Sequence, residues 1–292
     1  MRVALPTTLD EAVQALADAP EAHLLAGGTD FCVEVNFGLR RPPAVVALRR
    51  VAELRRWGFD GPRLVIGAGT TYTDMVEQLG DVLPALGAAA RTVGSPQIRN
   101  AGTLGGNIGT ASPAGDTLPV LAALDAEVTL RGPGGARSSP LVELVKGVKR
   151  TAIEPDEIVS HVTVEPPSGP QQFLKVGTRN AMVIAIASVA VVVDVARREV
   201  RCALGSVAPV PLRATEAELH GAQAIDWERV QRRGETGDDR LMLGQDALER
   251  FGELASLASA PITDHRATAE YRRRAVAVIA SRALRRCLDD VA

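Results

Sequence analysis

The chain has 292 residues, of which 46% are hydrophobic and 23% are charged, a composition typical of globular proteins with more than one core. Its net charge of -2 provides no basic surface for a phosphate backbone, which argues against a nucleic-acid partner. The cysteines Cys32, Cys202 and Cys287 lie too far apart for a metal-binding clip or a disulfide framework, so we expect plain buried thiols.

Residues 1–57 predict a small strand-loop-helix-strand unit. Thr8 and Glu11 have the spacing of a capping box, and the apolar residues after them recur at helical spacing. The elements that follow are a short strand, a glycine pair, a second helix and a strand, at 23–26, 27–28, 29–36 and 44–48.

Residues 58–168 predict a second subdomain. It opens with a strand at 64–66, after which Thr71, Thr73 or Asp74 can cap a helix. The later elements are a helix at 86–92, a loop at 94–116, a helix to 124, and strands around 128 and at 158–164. The cluster EPPSGP at 165–170 suits neither a helix nor an internal strand and therefore predicts a domain boundary.

Residues 169–292 predict a C-terminal α+β domain with a small antiparallel sheet followed by helices. The β-rich segments are 172–176, 184–195 and 199–207. A last helix at 268–288 carries a basic face made of Arg272, Arg273, Arg274, Arg282, Arg285 and Arg286. We expect this face to be solvated, and a docking surface for a partner subunit is the alternative.

Two features bear on location. The most apolar run, 181–193, is shorter than the roughly 20 residues that a membrane helix needs, so it predicts a buried strand. Acids at Asp10 and Glu11 interrupt the N-terminus before an apolar segment could form, so we expect no signal peptide and a cytoplasmic location.

The first motif with chemical content is LLAGGTDF, from Leu24 to Phe31, in which a strand leads into two glycines and a helix start. Glycine permits positive φ and close approach of a ligand to the backbone. Free N–H groups at the helix start attract an anion such as a pyrophosphate. Taken alone, the same residues also fit a tight turn with Thr29 or Asp30 as the helix cap.

The second motif is GTLGGNIG at 102–109, which runs through ASPA and Gly115 into Asp116. Each glycine carries extra unfolded-state entropy of ~0.5–1 kcal/mol relative to alanine in a regular element, so a plain connection has little reason to concentrate them. We interpret the glycine density as room for a ligand against the backbone. Asp116 can cap the helix that follows, or accept hydrogen bonds from a ribose or adenine group.

Together, AGGTD and TLGGNIGTASPAGD, joined by GSPQIRNAG, resemble the FAD-binding medium subunit of the xanthine dehydrogenase and carbon monoxide dehydrogenase family of molybdenum hydroxylases. The resemblance covers nearly the whole chain and includes IGAGTT at 66–71, KVG at 175–177, ALGSVA at 203–208 and DHR at 264–266. It implies an α+β fold in which a two-subdomain FAD-binding domain of the PCMH or vanillyl-alcohol-oxidase-like type precedes the C-terminal domain.

The resemblance also implies how the chain binds FAD without a covalent bond. The first loop would hold the pyrophosphate, Asp116 would lie toward the ribose and adenine end, and Lys175 would place a cation near the flavin N1–C2=O edge. An exposed strand lysine is the alternative for Lys175. The implied contacts are Leu24, Leu25, Ala26, Gly27, Gly28, Thr29, Asp30, Phe31, Val93, Gly102, Thr103, Gly105, Gly106, Asn107, Asp116, Val159 and Lys175.

The implied function is electron transfer rather than substrate hydroxylation. A small subunit with [2Fe-2S] clusters and a large molybdopterin subunit would complete a heterotrimer, expected as a dimer of heterotrimers, and FAD would pass electrons to an external acceptor. The segment TRNAM at 178–182 lacks the acid that many relatives have after the lysine, so NAD, oxygen and a quinone all stay open as acceptors. We expect no catalytic residue and no metal ligands in this chain, because His23, His161, His220 and His265 are scattered.

Three alternatives belong to other classes. A free-standing flavoenzyme of the vanillyl-alcohol-oxidase-like group would need its own substrate site. A nicotinamide-binding module, suggested by Gly67-Ala68-Gly69, fails because Tyr72 occupies the position of the third glycine. A flavin-free assembly protein would have little use for two intact glycine loops.

Overall fold

The computed structural model describes residues 2–230 and 243–290, and it confirms a mixed α+β architecture. Its N-terminal unit is a parallel sheet made of β1 Arg2–Ala4, β2 Ala22–Leu25 and β3 Ala44–Ala47, in the order β1-β3-β2. Helix α1, Leu9–Ala17, begins at the predicted capping box, in which Thr8 Oγ1 accepts from the Glu11 N–H at 3.2 Å. Helix α2, Phe31–Asn36, follows β2, so the first glycine loop lies at the carboxyl end of a parallel strand, where α/β folds commonly bind ligands.

The second unit is a five-stranded antiparallel sheet in the order β4-β5-β10-β6-β7. Its strands are β4 Trp57–Asp60, β5 Arg63–Gly67, β6 Glu127–Gly132, β7 Gly135–Pro140 and β10 Ile158–Val164. Between β5 and β6 lie α3 Tyr72–Gln78, α4 Pro84–Arg91, α5 Pro96–Arg99, α6 Leu104–Thr110 and α7 Thr117–Ala123. The short elements are 3-10 turns Leu48–Arg50 and Ala52–Arg55, helix α8 Leu141–Leu144, and strands β8 Val145–Gly147 and β9 Arg150–Thr151.

The C-terminal unit is a four-stranded antiparallel sheet, β11-β12-β13-β14, that is covered by helices. The strands are β11 Gln171–Val176, β12 Ala187–Asp194, β13 Glu199–Gly205 and β14 Leu212–Arg213. The helices are α9 Thr215–Ala224, α10 Gln245–Ala258 and α11 Ala269–Asp289. Within the described ranges, none of the helices has the length and apolar composition needed to cross a bilayer.

Strand β12 connects the cores of the molecule. Ala190 and Val192 belong to the core of the first two units, whereas Val189 and Val191 pack into a second core with the C-terminal helices. All eight residues of β12 are buried, because helices cover both faces of the sheet. This two-sided burial explains the continuous apolar run in the sequence.

Three expectations are corrected by the structure. Residues 181–186 do not extend β12, because Met182 has a φ of 51° and turns the chain before the strand begins. Cys32 is exposed, since it lies on α2, a helix without buried side chains. Arg272 is not on a solvated face: it is 3% exposed and donates to the carboxylate of Asp264 at 2.7 Å.

The Arg272 guanidinium also donates to the carbonyl oxygens of Ile186, at 2.6 Å, and Ser206, at 2.9 Å. It therefore joins the last helix to the chain before β12 and after β13. The backbone N–H of Arg266, together with this guanidinium, holds the pKa of the Asp264 carboxyl well below its usual range. Helical spacing alone could not show which arginine of the basic face points inward.

Candidate functional site

A cleft of about 740 Å³ lies between the N-terminal unit and the second sheet. Both glycine loops contribute to its walls. The predicted contacts that line it are Leu24, Ala26, Gly27, Gly28, Thr29, Asp30, Phe31, Thr103, Gly105, Gly106, Asn107 and Val159. The predicted contacts outside this lining are Leu25, Val93, Gly102, Asp116 and Lys175.

The first loop presents open backbone donors to the cleft. Within the described part of the chain, the N–H groups from Gly27 to Asp30 donate to no protein acceptor. Gly28 has a φ of 75°, a conformation that favours glycine. Asp30 precedes α2 but makes no capping hydrogen bond, and its carboxylate instead accepts from Thr110 Oγ1 at 3.2 Å. The expectation that the Asp30 side chain caps α2 is therefore wrong, although the chain does turn at residues 29–30.

The second loop uses its donors within the protein. The N–H of Leu104 donates to the Thr70 carbonyl at 3.0 Å, and that of Gly105 donates to the Ala68 carbonyl at 2.7 Å. The N–H of Gly106 donates to Thr103 Oγ1 at 3.0 Å. These bonds fix the start of α6 against the end of β5. The two glycine loops thus differ, since only the first has a row of free donors.

Several glycines are required by contacts between protein segments. A Cβ on Gly27 would lie 1.8 Å from the Ala101 carbonyl oxygen, so the two loops touch through their backbones. A Cβ on Gly105 would lie 2.6 Å from the Cβ of Ala68. Gly109 is different, because it lines the cleft and no protein atom beyond its chain neighbours and its own helix backbone lies within 4 Å of its Cβ position. The density of glycines therefore has two causes, tight packing and an open cleft wall.

Asp116 and Lys175 form a buried ion pair, with 2.5 Å between Asp116 Oδ2 and Lys175 Nζ. Thr92 Oγ1 donates to the same carboxylate oxygen at 3.1 Å, while Asp116 Oδ1 has no partner among the described residues. Burial raises the pKa of Asp116, and the Lys175 ammonium offsets part of that rise. Asp116 makes no side-chain cap to α7, so the capping interpretation is wrong.

This pairing constrains the two roles expected for these residues. An ammonium and a carboxylate in contact cannot lie at opposite ends of an extended dinucleotide. At most one of the two expected contacts, Asp116 toward adenosine or Lys175 toward the flavin ring, can hold in this arrangement. Lys175 is also not an exposed strand lysine, because its side chain is 8% exposed.

Sequence reasoning missed a cluster of charged and aromatic residues in the cleft. Arg40 lies 5.7 Å from the Phe31 ring centroid, and its guanidinium contacts Nδ1 of His23 at 3.2 Å. Glu34 pairs with Arg40 at 2.9 Å and with Lys149 at 3.1 Å. Burial and the Arg40 charge lower the pKa of His23, which favours its neutral form. Arg40 and Lys149 form no recognisable pattern in the sequence, because the side-chain contacts of this cluster join positions up to 115 residues apart.

In 2–230 and 243–290, no three His, Cys, Asp or Glu side chains come together as metal ligands. The segment after Lys175 contains Arg179, which donates to the Met182 carbonyl at 3.1 Å.

A family model described as the FAD binding domain in molybdopterin dehydrogenase matches residues 1–167. The nicotinate dehydrogenase FAD-subunit of Eubacterium barkeri is 36% identical over 191 residues, which cover 62% of this chain and 64% of that protein. The xanthine dehydrogenase FAD-binding subunit of Escherichia coli O157:H7 is 32% identical over 277 residues, which cover 91% of this chain and 88% of that protein. A chain in the structure of reconstituted CO dehydrogenase from Oligotropha carboxidovorans superposes with a TM-score of 0.86 at 28% identity, covering 100% of this chain and 98% of that one.

Proposed function

Because this chain belongs to the family of FAD-binding domains of molybdopterin dehydrogenases, we propose that it is the FAD-carrying subunit of a multi-subunit molybdenum hydroxylase. The observation that carries this proposal is the first loop, in which residues Gly27 to Asp30 line the cleft and their N–H groups have no protein acceptor among the described residues. A helix start with free donors is a site for a pyrophosphate.

The residues of the cleft fit FAD. The open donors of the first loop suit its diphosphate, and the empty space beside Gly109 allows a ligand to approach the α6 backbone. Thr103, Asn107 and Val159 provide further wall contacts. When bound, FAD supplies redox chemistry that connects one-electron [2Fe-2S] clusters of a partner subunit to an external acceptor.

The chain holds and orients this cofactor rather than a substrate. Asn107 is fixed by Thr117, whose Oγ1 donates to the Asn107 side-chain oxygen at 2.6 Å. Thr71 and Thr103 form an isolated β-bridge that ties the start of α3 to the start of α6. These links keep the cleft wall in place before the cofactor arrives, and preorganisation of this kind reduces the entropic cost of binding.

The partners and the domain limits are part of the same proposal. An iron-sulfur small subunit and a molybdopterin large subunit complete the enzyme, as a dimer of heterotrimers. The segments 1–57 and 58–168 are the two FAD-binding subdomains, and 169–292 is the C-terminal domain. Its last two residues and 231–242 lie outside the described ranges. The cytoplasmic location stays a prediction.

The test is to purify the native complex and measure flavin absorbance, iron and molybdenum. We expect one FAD for each copy of this chain, together with iron and molybdenum in the co-purifying subunits. Flavin in a chain that purifies without iron and molybdenum would instead support a free-standing flavoenzyme. Absence of flavin from a folded complex would refute the proposal.

A further inference from the structure

Tyr72 lies at the start of α3, directly under the second glycine loop. Its N–H donates to the Gly102 carbonyl at 3.1 Å, and a Cβ on Gly102 would lie 2.6 Å from a carbon of the tyrosine ring. In the sequence, Tyr72 occupies the position at which a nicotinamide-binding fingerprint requires its third glycine. In the structure, it is a wall residue of the cleft.

The tyrosine hydroxyl has no protein partner. Tyr72 is 6% exposed, and no hydrogen bond joins its hydroxyl to another residue in the described ranges. The hydroxyl is not among the buried polar atoms that lack a partner, so it keeps accessible surface in the cleft wall. A hydroxyl in this position can exchange water for a ligand acceptor, because the protein supplies no competing partner.

The charges around the hydroxyl decide which ligand group fits. Burial, and then the carboxylates of Asp116 and Asp30, raise the pKa of Tyr72, so the phenol keeps its proton and can donate it in a hydrogen bond. The Cα of Gly102 lies 2.9 Å from the Cβ position of Gly27. A single glycine therefore separates the tyrosine ring from the first loop, where the open backbone donors lie.

We propose that the Tyr72 hydroxyl donates a hydrogen bond to the diphosphate of FAD, next to the open N–H groups of the first loop. The inference rests on the proposed function and extends it by one binding residue. Phosphate oxygens only accept hydrogen bonds, so a hydroxyl that stays protonated complements them. The open N–H groups and the hydroxyl then form one set of donors, contributed by two different units of the fold.

The test is Tyr72→Phe, which keeps the ring against Gly102 and removes only the hydroxyl. Binding of FAD, of ADP and of riboflavin to the apo full-length chain is measured by titration, and apo stability by thermal unfolding. We expect the Kd of FAD and of ADP to rise about tenfold, which corresponds to about 1.4 kcal/mol and to one hydrogen bond to a charged acceptor. Riboflavin binding stays unchanged, and the apo melting temperature is equal or higher because no protein hydrogen bond is lost.

Tyr271→Phe is the matched control, because Tyr271 is 50% exposed on α11 and lies outside the cleft lining. An unchanged Kd of FAD in the Tyr72 variant overturns the inference. A higher Kd of FAD with an unchanged Kd of ADP also overturns it, since the hydroxyl would then contact the flavin end of the cofactor. If the unmodified chain binds neither FAD nor ADP, the proposed function fails, and the inference fails with it.

Discussion

Gly109 offers the sharpest test of whether the cleft holds FAD. It lies in α6 and lines the cleft, and no protein atom beyond its chain neighbours and its own helix backbone is within 4 Å of its Cβ position. Adding a side chain there fills cleft space without displacing protein. A change at Gly28 is less informative, because its φ of 75° strains any other residue whether or not a ligand binds.

We expect Gly109→Ala to stabilise the apo fold and to weaken the binding of FAD. Alanine in a helix is favoured over glycine by ~0.5–1 kcal/mol, so apo stability should rise by that amount. For a domain of this size, this corresponds to roughly 1–4 °C in melting temperature. A methyl group forced against a bound cofactor costs ~1–3 kcal/mol, as overpacking does in a core, so the Kd of FAD should rise roughly fivefold to 150-fold.

The assay pairs thermal unfolding of the apo chain with fluorescence titration of FAD. Gly109→Leu extends the series and should abolish binding at micromolar FAD while the apo chain stays folded. Gly134→Ala is the control, because its Cβ position is also free of protein atoms but lies away from the cleft lining. A folded Gly109→Leu chain that binds FAD as tightly as the unmodified chain would show that the cofactor lies elsewhere.

Three further predictions concern packing and charge. Gly27→Ala should lower the apo melting temperature, because its Cβ would lie 1.8 Å from the Ala101 carbonyl oxygen. Lys175→Met should cost ~3–5 kcal/mol in urea unfolding by leaving Asp116 buried without its cation, and adding Asp116→Leu should restore most of it. The pKa of Asp264 is lowered, chiefly by a backbone N–H, so its stabilisation is present above pH ~4 and is lost as the pH falls toward the folded value. Melting temperatures between pH 7 and pH 2 should fall less in Asp264→Asn than in the unmodified chain.

Features with local causes could be predicted from the sequence. The capping box at Thr8, for example, depends on two residues that are three positions apart. The start of β12 was predicted too early because apolar character continues through Ile184 and Ile186, while the turn at Met182 has no compositional signal. Apolar patterning indicates burial, but it does not show where a strand ends.

The glycine loops were found from the sequence, but their different roles were not. Whether an N–H is free depends on distant acceptors. Here the acceptors are the carbonyls of Ala68 and Thr70, which both lie more than thirty residues before their donors, Gly105 and Leu104. The Asp116–Lys175 pair joins positions 59 residues apart. Such partners depend on the tertiary arrangement, which local propensity and spacing do not specify.

Helix α7 connects the second loop to the C-terminal sheet at both of its ends. At its start, Asp116 pairs with Lys175, and at its end Asp125 pairs with Arg201 at 2.9 Å and with Arg213. The loop before α7 is held as well, because the N–H of Ser206 donates to the Pro113 carbonyl at 2.8 Å.

These supports come from beyond residue 167, where the family match ends, yet no described residue after that point lines the cleft. Because Asn107 is bonded to Thr117 at the start of α7, the position of the second loop depends on the C-terminal sheet. The C-terminal unit therefore contributes to the site by fixing a wall that it does not itself form.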